Sequence, residues 1–218
     1  MNSRPDLRRR GFVIAALGGA PLIWLPRTAS AGDIVEAHGN VRVNGRDADE
    51  KTPVVAGDTI ETGANSKAVF RVNEDAYLMR ANSMLRLEKK TQFDTLVSGL
   101  RMVTGALAVV FGRGEKRIYT RTLTAGIRGT GIYLEAKPEA TYFCTCYGAT
   151  DLETPGDLAN RDREHVVSSR HVSRYIYASA QSKGGPLIVA APTVNHTNEE
   201  MAMLENLVGR SCPLMEHG

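Results

Sequence analysis

The chain has 218 residues, with 27 Lys and Arg against 24 Asp and Glu. Five of the basic residues but only one acidic residue lie in positions 1–31, so the remaining 187 residues carry 22 basic and 23 acidic side chains. Such a nearly neutral chain lacks the positive potential that binding to nucleic acid or anionic lipid needs. Its length suits one large domain, or a domain with an extension.

The first 31 residues have the pattern of an export signal. An arginine pair at positions 9 and 10 precedes an apolar stretch over residues 11–25, which is shorter than the roughly 20 apolar residues that cross a bilayer as a helix. Small residues follow at 29–31, so we expect cleavage before Gly32. The pattern resembles a twin-arginine signal, with a general secretory signal as the alternative. We therefore predict a signal peptide over 1–31 and a periplasmic, exported protein.

Short strands are predicted from residue 33 to about residue 151. Apolar and polar residues alternate over four short segments, and turn-forming pairs such as Asn44-Gly45 separate them. Turn signals recur every 8–14 residues or so, without a long stretch of helical period between them, which favours an all-β sandwich, roll or solenoid. The alternating segments are 41–43, 68–72, 85–87 and 107–111.

The last third of the chain has a different pattern. Residues 154–164 are polar and predict a surface loop, and further strands are predicted at 165–168, 174–178 and 187–190. Thr197 and Glu200 have the spacing of a capping box, and apolar residues at helical spacing follow them. We therefore expect a C-terminal extension over 153–218 that ends in one short helix at about 198–208.

Three segments resemble the periplasmic FecR domain. Residues 54–68 read VVAGDTIETGANSKA, residues 100–107 read LRMVTGAL, and residues 122–132 read TLTAGIRGTGI. They are similar, in the same order, to that family's G-D-x-I-x-T-G-x-x-S-x-A signature, its L-x-x-G-x-L segment and its Thr-rich strand before an R-G-T turn. The resemblance implies a β-rich domain over 32–152.

The founding FecR proteins are inner-membrane transducers that relay the state of an outer-membrane receptor to a sigma factor. This sequence shows neither a cytoplasmic anti-sigma segment nor a second apolar run of membrane-spanning length. The resemblance therefore implies the β domain more than the classical signalling role. Arg128, in the R-G-T element, is interpreted either as a structural residue at a turn or as a carboxylate-binding residue.

Two cysteines form a C-x-C pair at Cys144 and Cys146. On a strand, residues i and i+2 lie on one face, so both sulfurs point the same way. Their Cα atoms are then about 6.5–7 Å apart, at the upper edge of disulfide geometry, whereas two such thiolates can chelate a soft metal without distortion. His171 and His196 are the expected completing ligands, provided that the extension folds back on the last strand.

Three interpretations of these residues stay open. They are a half-buried cysteine pair with surface histidines, a disulfide that involves Cys212, and a site for a soft transition metal such as zinc or copper. Folding energetics favour the metal interpretation. The extension has too few apolar residues for a core of its own, and a bound metal would supply folding free energy.

The sequence shows no constellation that is typical of an enzyme. It lacks a Gly-x-Ser-x-Gly elbow, a His-Glu-x-x-His motif and a phosphate loop in its strand-to-helix context. We therefore expect a non-enzymatic sensing or interaction module with a periplasmic or envelope protein as its partner, without a nucleic-acid partner and without a membrane span after signal cleavage. The alternatives are a component of a FecR-type regulator and a disulfide-stabilised structural protein.

Overall fold

Short strands joined by tight turns make up most of the protein. The structure is a computed structural model that describes residues 32–92, 94–156, 161–180 and 184–215, so the predicted signal peptide lies outside the described residues. About 54% of the described residues are in strands and 7% are helical, which confirms the prediction of a mainly β fold. Within the described ranges, no helix is long and apolar enough to span a bilayer.

Eight strands precede residue 90, and tight turns connect several of them. Asn44 and Gly45 have φ values of 52° and 75°, the left-handed conformation that a two-residue hairpin turn requires. The strands are β1 (Gly32–His38), β2 (Val41–Val43), β3 (Arg46–Asp47), β4 (Pro53–Val54), β5 (Thr59–Thr62), β6 (Lys67–Val72), β7 (Asp75–Met79) and β8 (Ser83–Glu88).

Longer strands and the helix follow. The helix begins after the N-cap Thr197, whose capping box with Glu200 is present as predicted. Gly209, just beyond the helix, has a φ of +72°. The elements are β9 (Gly99–Val110), β10 (Glu115–Tyr119), β11 (Thr124–Ala136), β12 (Ala140–Glu153), β13 (Arg163–Ser168), β14 (Val172–Tyr177), β15 (Ile188–Ala191), α1 (Asn198–Leu207) and a 3₁₀ turn (Pro213–Met215).

All of these strands belong to one branched, open sheet. Its main path runs β15-β14-β12-β11-β10-β9-β7-β6-β1-β4. Strand β9 pairs with β8 along its first half and with β7 and β11 along its second half, so the sheet branches there and folds over an inner apolar core. Strands β13 and β14 both pair with β12, so the sheet continues across residue 152 into the predicted extension.

The R-G-T element differs from the expected turn. Residues 124–136 form one continuous strand, β11, and the register shift against β12 lies between Arg128 and Gly131. The extra residues make a β-bulge, where Gly129 has a φ of +55°. Arg128 is exposed and lies 3.9 Å from the carboxylates of both Glu115 and Asp151. It therefore does not act as a structural residue at a turn.

A second apolar cluster lies on the opposite face of the sheet from the inner core. We call it the outer cluster, and α1 and the 3₁₀ turn cover it. Its buried members are Val69, Ala76, Leu78, Ala108, Val110, Tyr133, Tyr142, Cys144, Cys146, Tyr147, Met201, Leu204, Cys212 and Leu214. All three cysteines of the sequence are therefore inside this cluster.

Candidate metal centre

Strand β12 places the sulfurs of Cys144 and Cys146 side by side. In the pairing with β11, Thr145 lies opposite Ile132 and Tyr147 lies opposite Gly131, which leaves Cys146 as an extra residue in β12. A β-bulge of this kind re-aims a side chain. The two Sγ atoms are 3.9 Å apart, and both cysteines have no exposed surface.

His171 is brought to this pair by the turn between β13 and β14. Its φ is +41°, and its backbone amide donates a hydrogen bond of 2.9 Å to the carbonyl of Cys146. The ring then places Nδ1 at 3.6 Å from Cys144 Sγ. Its other nitrogen, Nε2, lies 2.7 Å from Oδ1 of Asn198, the first residue of α1.

His196 reaches the same point from the segment before α1. Its Nε2 lies 3.1 Å from His171 Nδ1, and its Nδ1 lies 2.7 Å from the carbonyl oxygen of Val194. The ring stacks on Tyr133, with centroids 4.6 Å apart and planes 15° apart. Only 9% of His196 is exposed, so this histidine belongs to the interior of the protein.

The hydrogen-bond partners fix which nitrogen of each ring carries the proton. Carbonyl oxygens only accept hydrogen bonds, so His196 donates from Nδ1 to Val194 and His171 donates from Nε2 to Asn198. When both rings are neutral, the two remaining nitrogens present lone pairs to each other across 3.1 Å. That contact is repulsive unless a proton or a metal ion lies between them.

The four ligand atoms lie close enough together to surround one metal ion. All of them lie within 4.8 Å of one another. A tetrahedral zinc ion, with bonds of about 2.3 Å to sulfur and about 2.0–2.1 Å to nitrogen, separates its ligands by about 3.8 Å for two sulfurs, 3.6 Å for sulfur and nitrogen and 3.3 Å for two nitrogens. Three of the six separations are 3.9, 3.6 and 3.1 Å and match these values, and the other three are no longer than 4.8 Å, so the residues fit the ion after small side-chain shifts.

The electrostatics of the thiols suit metal binding. The hydrogen bond from the Cys146 thiol, with contributions from His171 and His196, lowers the pKa of Cys144 to about 3 against the opposing effect of burial. Burial raises the pKa of Cys146 well above its usual range. Contact with the Cys144 sulfur raises the pKa of His171. The lowered pKa favours the thiolate form of Cys144, which is the form that ligates metals.

Two residues of the site, together with Asn198, also form a chain of contacts from a thiol to an imidazole to an amide. Cys144, His171 and Asn198 follow one another in the order of a cysteine nucleophile, its base and the group that orients the base. This order is not visible in the sequence, because Asn198 has no distinguishing pattern around it. However, the Cys144 sulfur belongs to a side chain with no exposed surface, so a substrate has no access to it and the metal interpretation is favoured.

Cys212 and His165 do not join the site. Among the described residues, no disulfide involves any of the three cysteines, and Cys212 lies in the outer cluster beside the group of four. The expectation of a half-buried pair is wrong, since both cysteines are completely buried. His165 is exposed on β13 and lies 2.6 Å from Asp151. His171 and His196 do reach the C-x-C pair, as the folding back of the extension requires.

Comparisons with known proteins found no matching family and two solved structures at low sequence identity. No family model matches the chain, and no curated protein matches it, so the FecR resemblance stays a prediction. Two crystal structures of candidate anti-sigma factors from Parabacteroides distasonis are similar to it. One is 12% identical, covers 67% of this chain and has a TM-score of 0.49. The other is 10% identical, covers 63% and has a TM-score of 0.48. The chain spans 64% and 60% of their respective lengths.

Proposed function

We propose that this protein is an exported, non-enzymatic interaction module that binds one soft transition metal ion. Cys144, Cys146, His171 and His196 are the ligands. The metal joins strand β12 to the segment before α1 and so fastens the C-terminal part of the chain to the sheet.

The observation that carries this proposal is the contact between the two histidines. Their outer nitrogens donate to Asn198 and Val194, so the inner nitrogens of the two neutral rings both offer lone pairs. A proton bridging the two rings would satisfy only these nitrogens. A metal ion satisfies the two sulfurs as well, because all four donor atoms lie within 4.8 Å of one another.

The ligand set indicates a structural rather than a catalytic metal. Structural zinc sites have four protein ligands, whereas catalytic sites keep one position for water or substrate. Four protein atoms are present here, and the cysteines and His196 are buried. Thiolate and imidazole ligands suit zinc and copper, and a buried metal of this kind contributes directly to folding free energy.

Export and a protein partner complete the proposal. The arginine pair and the short apolar stretch in residues 1–31 support export. The near-neutral charge of the rest of the chain disfavours nucleic acid as a partner. Open sheet edges at β13 and β15 are places where an envelope protein can dock.

Cobalt substitution tests the metal site. Residues 32–218, without an affinity tag, are stripped with a chelator and titrated with Co²⁺, and the visible bands of tetrahedral cobalt and its thiolate charge transfer are followed. We expect saturation at one equivalent, loss of the bands in Cys146→Ser and His196→Ala, and unchanged titration in Cys212→Ser and His165→Gln. Spectra of octahedral cobalt, or equal titration of all variants, would reject the proposed site.

A further inference from the structure

The outer cluster forms a continuous apolar trough under α1. Adjacent strands β6, β7, β9, β11 and β12 place Val69, Leu78, Ala108, Tyr133 and Cys144 in one row across the sheet. These residues are almost completely buried. Ala108 lies in the middle of the row and leaves room above it because its side chain is small. In the structure, α1 lies over this trough.

Helix α1 is weakly suited to hold this position by itself. It has only 10 residues and buries two apolar side chains, Met201 and Leu204, whereas isolated helices shorter than about 12–15 residues are marginal in water. It is fastened at its ends instead. Arg80 on the sheet side donates to the Glu200 carboxylate over 2.8 and 3.0 Å, and Tyr147 donates to the Glu205 carboxylate.

The contacts of α1 define what the trough binds. The helix presents an acidic residue, two apolar residues three positions apart and a second acidic residue, at Glu200, Met201, Leu204 and Glu205. The sheet supplies a cation at one end of the trough, Arg80, and a hydroxyl donor at the other. A helix from another protein with this pattern would contact Arg80 and Tyr147 in the same way, because neither residue belongs to α1.

We propose that the trough is a docking groove for an acidic amphipathic helix of a partner protein, and that α1 is its built-in occupant. This inference rests on the proposed function for the role of the metal, which holds α1 in the groove through His196. Loss of the metal frees the start of α1 and makes the groove available, so that metal occupancy regulates the interaction.

A peptide with the sequence of residues 197–210 is the probe. It lacks His196 and so cannot complete the metal site. The receptor is the full mature chain with Met201→Arg and Leu204→Arg, which removes the occupant without changing a metal ligand, and circular dichroism checks that its sheet is retained. We expect the labelled peptide to bind this receptor at least about tenfold more tightly than metal-loaded wild type, with metal-stripped wild type between the two.

Matched controls identify the contacts. A peptide with Leu204→Asp should not bind, and Arg80→Ala in the receptor should weaken binding about tenfold. Arg86→Ala, at an exposed position of β8, should not weaken it.

Failure of the peptide to bind the folded double variant, or equal binding to metal-loaded wild type, would overturn the docking groove. Equal binding to metal-loaded and metal-stripped wild type would overturn the role of the metal alone. Absence of metal from all forms would instead reject the proposed function, and the double variant would still decide the docking groove.

Discussion

Nδ1 of His171 and Nε2 of His196 lie 3.1 Å apart. The other nitrogen of each ring donates a hydrogen bond, from His171 to Asn198 and from His196 to Val194. Neutral imidazoles in this arrangement repel each other. The protein holds them there with the turn before β14, the capping box of α1 and the stack of His196 on Tyr133. Two neutral rings in this arrangement are costly without a cation between them.

Metal removal should lower stability by a measurable amount. Zinc at about a thousand times its dissociation constant adds about 4 kcal/mol to the free energy of unfolding, which corresponds to about 8–16 °C in Tm for a chain of this size. Differential scanning calorimetry with and without a chelator should show this shift in wild type. Cys146→Ser should show no shift, and Cys212→Ser should respond as wild type does.

The loss of stability should be local at first. Backbone amides of β15 and α1 should lose hydrogen-exchange protection on chelation before those of β6, β7 and β9, because only the former region depends on His196 for attachment. Mass spectrometry of peptides after exchange resolves the two regions. Simultaneous loss of protection in both regions would contradict a metal that stabilises only the C-terminal part of the chain.

Asn198 should act as a positioning residue for His171. Asn198→Ala removes the acceptor on Nε2 and frees the ring to rotate, so we expect metal affinity to fall about 10–100-fold while the sheet stays folded. Competition with a zinc indicator measures the affinity. Asn206→Ala, on the exposed side of the same helix, is the matched control and should leave the affinity within a factor of two or so; an equal loss in both variants would show a general effect on the helix.

Glu205 should stabilise the C-terminal segment without affecting the metal ligands. Its carboxylate is buried, accepts from Tyr147 and pairs with Arg210 over 2.5 Å. Glu205→Ala leaves Tyr147 without its acceptor and leaves Arg210 with the Glu74 carbonyl alone. We expect a loss of about 3 kcal/mol in unfolding free energy, against about 1–3 kcal/mol for Tyr147→Phe. Urea denaturation of the metal-loaded protein measures both. Met203→Ala, which is more exposed on the same helix, should change stability by less than about 1 kcal/mol.

The repeated turn pairs and the alternation of short strands made the mainly β fold predictable, and Thr197 with Glu200 made the start of α1 predictable. The C-x-C pair and the two histidines were also visible as candidate ligands, since cysteines two residues apart share a strand face.

The remaining features of the site depend on tertiary structure. The bulge at Cys146 follows from its register against β11, which no local pattern of β12 specifies. Val194 contributes a backbone carbonyl, a group that every residue possesses, and Asn198 becomes a partner of His171 only after the chain returns to β12. The R-G-T element was expected to form a turn and instead forms a bulge, because β11 pairs with β12 on both sides of it.

The metal content of the purified protein tests the central claim most directly. Residues 32–218, expressed without a tag and purified without chelators, are analysed by inductively coupled plasma mass spectrometry beside Cys146→Ser. We predict about one equivalent of zinc or copper in wild type and loss of it in the variant. Less than about a tenth of an equivalent, together with a wild-type mass lower by two hydrogens from a Cys144–Cys146 or Cys–Cys212 bridge, would contradict the metal centre and support the disulfide interpretation.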